Sequence, residues 1–122
     1  MRHLLIIAHG SRREASNEEV RRLAERFAVR AGERFQRVCC AFLELAEPSI
    51  PEAVDACVAD GAAEIVILPY FLSAGRHVTK DIPEQLLPGR EQYPHVRIHV
   101  LPYVGAEDGM LDLMLGMAEA KY

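Results

Sequence analysis

Three side chains of a kind that binds a cation and moves a proton each follow a short apolar run. They are His9 after HLLIIA (His3 to Ala8), Glu44 after RVCCAFL (Arg37 to Leu43) and His77 after EIVILP (Glu64 to Pro69). Such runs, bounded by polar turns, read as buried parallel strands. Parallel strands bring their carboxyl ends to one edge of a sheet, the edge at which open α/β folds bind ligands. Neutral imidazole suits first-row transition metals such as iron, cobalt, nickel and zinc. Imidazole and carboxylate also exchange protons near neutral pH after modest tuning. The set therefore points to metal handling coupled to proton transfer. A single histidine after a strand is ordinarily a hydrogen-bonded loop residue. Two at equivalent strand ends, flanked by Gly10, Ser11 and Arg12 and by Ser73, Gly75 and Arg76, favour a site.

The same segments offer something to an anion. Gly10, Ser11 and Arg12, and again Ser73, Gly75 and Arg76, can present backbone amides and a guanidinium. With Arg13 and Lys80 nearby, this edge is locally positive on a chain of net charge −4, which fits a polyanionic small molecule better than a polymer. Each arginine taken alone is a surface charge. The remaining histidines, His3, His95 and His99, read as structural or solvent-facing.

The elements that must position these residues follow from periodicity. Val20, Leu23, Ala24, Phe27, Ala28, Ala31 and Phe35 recur at helical spacing, and Ser16 with Glu19 reads as a capping box that opens this helix. Ser49 with Glu52 is a second capping box, with Pro51 in the first turn, predicting a helix over Ile50 to Ala59 that stops at Gly61. A third helix is expected from about Thr79, breaking at Pro88 and Gly89. Val96 to Leu101 alternates as a fourth strand, and Met110 to Ala118 reads as a last helix with Met110, Leu111, Met114, Met117 and Ala118 inward. Alternating strands and helices with right-handed crossovers predict an α/β fold: a three-layer α/β/α sandwich on a four-stranded parallel sheet.

The 122 residues are the size of one domain, and residues 1–122 are read as one. Half are apolar and about a quarter charged, as in ordinary globular proteins. The acidic balance argues against a nucleic-acid partner. The apolar runs fall far short of the roughly 20 residues of a membrane span, so no membrane partner is expected. Cys39, Cys40 and Cys57 are odd in number, lack paired-ligand spacing and read as buried small hydrophobes in a reducing cytoplasm.

AHGSR at Ala8 to Arg12, FLELAEPSI at Phe42 to Ile50 and LPYFLSAGRHVTKDIP at Leu68 to Pro83 together resemble the sirohydrochlorin chelatases, the class II chelatases. The likeness is strongest to the short, single-domain cobaltochelatases. It implies a chelatase-like, flavodoxin-like half-domain that inserts a divalent metal, Co²⁺ or else Fe²⁺ or Ni²⁺, into the anionic tetrapyrrole sirohydrochlorin without ATP, in cobalamin or siroheme biosynthesis. Carried over by residue, His9 and His77 contact the metal and accept protons, with Glu44 as the acidic partner. Ser11, Arg12, Glu44, Leu72, Ser73, Ala74, Gly75 and Arg76 would hold the macrocycle. No permanently bound cofactor is implied, since the metal is itself a substrate. Longer members hold two such domains, so a homodimer is implied here.

Two other readings remain open at this point. A phosphoryl-transfer enzyme with a histidine nucleophile would carry an arginine before His9-Gly10, where this chain has Ala8. A non-catalytic tetrapyrrole or metal carrier of the same fold would bind both ligands without accelerating metallation.

Overall fold

The computed structural model describes residues 1–120. Four strands, β1 (Arg2–Ala8), β2 (Arg37–Phe42), β3 (Glu64–Pro69) and β4 (Arg97–Val100), alternate with α1 (Glu14–Ala31), α2 (Ile50–Ala59), α3 (Ile82–Gln92) and α4 (Gly109–Glu119). All strand pairs are parallel, in the order β2-β1-β3-β4. This is the expected α/β class.

Handedness decides where the helices go. The chain steps from β1 out to β2, then back across β1 to β3 and onward to β4. Right-handed crossovers therefore place α1 on one face and both α2 and α3 on the other. Leu5, Ile7, Ala41, Ile65 and Ile67 bury against Ile50, Val54, Ile82 and Leu86 of α2 and α3. Leu4, Ile6 and Val66 bury against Ala24 of α1, with Phe27 and Phe35 at the margin. Full burial of each such aliphatic side chain stabilises by about 1.5–3 kcal/mol.

Three expectations fail, each for a local reason. α1 begins at Glu14, two positions before Ser16, and its N-cap Arg13 gives no side-chain cap. The loop ahead is instead braced by Asn17, whose amide group bonds the backbone of Ser11 through both its oxygen and its nitrogen. α3 runs through Pro88 and Gly89 to Gln92. Pro88 sits on the solvent side of the helix, where it removes one rung of the hydrogen-bond ladder without ending it, and buried Gly89 lets α3 lie against α2, since a Cβ there would stand 2.8 Å from Val54 Cγ1.

The third failure is α4. Of the residues expected inward, Met110 is half-buried, and Leu111, Met114, Met117 and Ala118 are exposed. The helix packs on the short turn Val104–Ala106 that leads into it. Periodicity marks a surface that wants burial but does not say against what. On the α1 face, the sheet around β4 is correspondingly bare: His99, beside Val66 in register, and Leu101 are exposed, and Leu68 is half-buried.

Candidate active site

In register, the last residues of β1 and β2, Ala8 and Phe42, are partners, while Pro69 ending β3 lies opposite Ile7. The three carboxyl ends are thus nearly level. Because the chain leaves β1 toward β2 but returns to β3 on the other side, a crevice opens at the ends of β1 and β3, the switch point where ligands bind in such sheets.

His9 is the first residue beyond β1. Past the strand ends the backbone ladder continues: Leu43 N donates to Ala8 O (3.0 Å) and Glu44 N to His9 O (3.1 Å). This close approach requires Gly10, which sits at φ +95° and where a Cβ would run into the Glu44 carbonyl oxygen. Glu44 is thereby set beside His9, with its Oε2 3.8 Å from His9 Nε2.

His77 is not immediately past β3, as the strand-end pattern suggested. Residues 70–76 intervene, and His77 opens a single π-turn, His77–Asp81, that leads into α3. Gly75 O anchors that turn by accepting from Val78 N (3.1 Å), Thr79 N (3.2 Å) and Thr79 Oγ1 (3.3 Å). The loop folds back over the sheet edge, so the His9 and His77 rings meet edge to face with centroids 4.5 Å apart.

Hydrogen bonding fixes which nitrogens are free. His9 Nδ1 lies 3.0 Å from Gly10 O and His77 Nδ1 lies 2.8 Å from Asp81 Oδ2. A carbonyl and a carboxylate only accept, so each Nδ1 carries the hydrogen and each Nε2 keeps its lone pair. Asp81 therefore fixes the tautomer and orientation of the His77 ring, as carboxylates do for metal-binding imidazoles. The His9 lone pair faces a carboxylate across a gap too long for a hydrogen bond, and a proton or metal cation between them would relieve the repulsion. Among the described residues, no group of three His, Cys, Asp or Glu side chains forms a ready-made metal cage. The arrangement suits transient capture and hand-over better than storage.

The other predicted site residues divide. Arg12, Leu72, Ser73, Ala74, Gly75 and Arg76 are exposed around the crevice. Ser11 is not free to cradle an anion through its amide, which donates to Asn17 Oδ1 at 2.9 Å, while Ser11 Oγ accepts from Arg13 N at 3.0 Å. Sequence reasoning missed Asp81 and Asn17. The i,i+4 spacing from His77 to Asp81 was a readable signal once the helical turn was known to begin at His77.

Residues 3–119 match the model of the CbiX family. This chain belongs to the CbiX family. It is 32% identical over 112 residues to the sirohydrochlorin ferrochelatase of Priestia megaterium, covering 92% of this chain and 41% of that one. It is 33% identical over 116 residues to the sirohydrochlorin cobaltochelatase of Sulfolobus acidocaldarius, covering 95% and 89%. The crystal structure of the sirohydrochlorin chelatase SirB from Bacillus subtilis subspecies spizizenii in complex with cobalt superposes with a TM-score of 0.83 at 28% identity, covering 97% of this chain and 50% of that one. The CbiX chain spans about half the length of the first curated relatives it matches.

At the opposite, amino-terminal edge of its sheet this CbiX chain carries a second histidine–carboxylate pair. His3 is fully buried, neither ring nitrogen has a hydrogen-bond partner, and Nε2 lies 3.7 Å from Asp60 Oδ2. Asp60 is claimed by Arg37 at 3.1 Å. Burial holds the His3 pKa below the ordinary 6.5, the nearby Asp60 only partly opposing it. Close by, Cys57 donates toward Cys39, pulling the Cys39 thiol down and pushing its own up, while burial raises Cys40. His99 is exposed and bonds Glu64 at 3.1 Å, and His95 is exposed. Among the described residues no helix is long and apolar enough to cross a membrane.

Proposed function

We propose that this chain is a sirohydrochlorin chelatase that inserts a divalent metal, Co²⁺ foremost and otherwise Fe²⁺ or Ni²⁺, into the macrocycle without nucleotide hydrolysis. The reading is carried by one observation: two imidazoles 4.5 Å apart at an open sheet edge, each with Nδ1 engaged and Nε2 free, beside a carboxylate. Metallation needs the ring to lose two pyrrole protons as a partly desolvated cation arrives, so weakly held metal ligands and bases must occupy the same place. His9 and His77 supply both, and Glu44 balances the cation's charge. Arg12 and Arg76 take substrate carboxylates at the rim, and loop Leu72–Arg76 lies against the macrocycle. The metal is a substrate, and no resident cofactor enters the scheme.

The names of relatives include both cobalto- and ferrochelatases, and imidazole with carboxylate does not select between these metals. Supply in the cell then decides whether the product goes to cobalamin or to siroheme. Free thiols and an acidic surface fit a soluble protein of a reducing cytoplasm. The functional unit in this reading is a homodimer, supported by the unpacked apolar helix α4.

The test is anaerobic incubation with sirohydrochlorin and Co²⁺, followed by absorbance. A metallation rate well above the spontaneous one is expected. Tight binding of both ligands with no acceleration would identify a carrier instead.

A further inference from the structure

We infer that Arg21, on α1 and outside the crevice, is a positioning residue for Glu44. Its guanidinium ties the loop behind His9 to the loop that carries Glu44, and so sets how the carboxylate stands beside the imidazole. This rests on the chelatase reading above and deepens it, by naming what holds the acidic partner in place.

The Glu44 loop is the part that needs holding. Residues 43–48 leave the end of β2 and come back to it, with Phe42 N donating to Pro48 O at 2.9 Å and Phe42 bridging to Ser49. The outgoing half is fastened twice: Leu43 and Glu44 donate to Ala8 O and His9 O, and Gln85 Nε2 of α3 donates to Leu43 O at 3.3 Å. Between the halves Leu45 stands at φ +66°, a left-handed conformation that leucine keeps only where its surroundings enforce it. Its side chain is half exposed, so the enforcement does not come from packing there. It has to come from the returning half.

On that half the contact is Arg21. Its Nη2 donates to Glu47 O at 3.1 Å, 26 residues along the chain. Its Nη1 donates to Glu14 Oε1 and, at 3.3 Å, to Glu18 Oε2, and the guanidinium carbon lies over the buried Phe42 ring, 5.4 Å from its centroid. Glu14 accepts in turn from Asn17 Nδ2 at 3.3 Å, and Asn17 grips Ser11. One guanidinium thus joins the segment just past His9 to the segment just past Glu44.

Stability alone does not account for this arrangement. Glu14 and Glu18 are 72% and 49% exposed, and ion pairs in that setting contribute little because water and salt screen them. What the two carboxylates do is fix the arginine fork, so that its remaining N–H is aimed at one backbone carbonyl. Without that bond Leu45 is released to an ordinary negative φ, which turns the peptide after Glu44 and carries its carboxylate away from His9.

Calorimetric titration of Co²⁺ alone into the full chain tests this without relying on turnover. Arg21→Met keeps the apolar stem over Phe42 and removes every donor. It should weaken Co²⁺ binding about tenfold, the lower end of the range for losing a group that orients a metal ligand, with circular dichroism and the urea midpoint near those of the unaltered chain. Glu44→Gln should weaken binding at least as much. Adding Arg21→Met to Glu44→Gln should then weaken it no further, because an arginine that acts through Glu44 has nothing left to position. Arg21→Lys, which restores the charge but not the fork, should recover only part of the loss. Losses that multiply in the double variant, full recovery with lysine, or unchanged binding in Arg21→Met would each overturn the inference. Metallation of sirohydrochlorin is followed alongside. A chain that shows the expected Co²⁺ pattern without accelerating metallation would uphold the role of Arg21 and remove the chelatase reading instead.

Discussion

β1 carries a histidine near each end, and each has a carboxylate oxygen at almost the same distance: His3 to Asp60 at 3.7 Å, His9 to Glu44 at 3.8 Å. The environments are opposite. The His3 side chain is sealed at 0% exposure with both nitrogens orphaned, whereas the His9 side chain is 45% exposed, its Nδ1 is satisfied and a second imidazole faces it. The lesson is that a carboxylate near an imidazole does not by itself make a metal site. Access, a fixed tautomer and a second free nitrogen do, and only the carboxyl edge has all three.

The sharpest way to break this contrast is to delete the rings. His77→Ala and His9→Ala should each slow cobalt insertion by about 10²–10⁴-fold, the range for loss of a positioned base, in proteins with unchanged circular dichroism. Near-normal rates in either variant would end the two-imidazole scheme. Loss of the orienting carboxylate comes next. Asp81→Ala should cost about 10–100-fold in metal affinity or rate, the usual effect of removing such a partner, with little change in the urea midpoint. An equal loss of rate and of stability would mean that Asp81 only holds the turn together.

At the other end of β1 the sign reverses. His3→Leu should leave insertion untouched and raise stability by about 1–3 kcal/mol, the desolvation cost of unpaired buried polar atoms, read by urea unfolding at pH 7. The same variant tests a pH effect. The folded-state pKa of His3 is depressed, so below 6.5 the unfolded chain takes up a proton that folded His3 refuses. Stability should decline as pH drops below that value, by at most about 1.4 kcal/mol per pH unit from this one group, and His3→Leu should flatten the slope. The smallest effect concerns the thiols. Iodoacetamide near pH 7 should label Cys39 before Cys40 and Cys57, mapped by mass spectrometry, because only the Cys39 thiolate is favoured.

Much of the scaffold was legible because local chemistry and global fold agree. The capping box at Ser49 and Glu52 forms as read and α2 spans Ile50–Ala59, and the aliphatic run Glu64–Pro69 is β3 end to end. That His9 and His77 share one sheet edge was legible from the alternation of strands and helices, whereas their ring-to-ring contact depends on the loop of residues 70–76 folding back. Illegible features depend on partners distant in sequence or outside the chain. Ser16 lost the helix start to Asn17, whose side chain reaches back to Ser11. Pro88 and Gly89 look like a stop until α2 lies alongside. The inward face of α4 was read correctly as apolar and wrongly as covered, since a pattern of Leu and Met is silent about which molecule buries it.

The π-turn at His77–Asp81 gives the first turn before α3 one surplus residue, with Ile82 N bonding back to His77 O. Removing one position between Val78 and Lys80 should let the chain wind into ordinary α-helix and melt at a higher temperature. It would also swing His77 by roughly 100°, one residue of helical rotation, away from His9. Such a shortened chain would be a hardier fold that no longer metallates its substrate, which would mark that extra residue as thermal robustness forgone for the sake of aim.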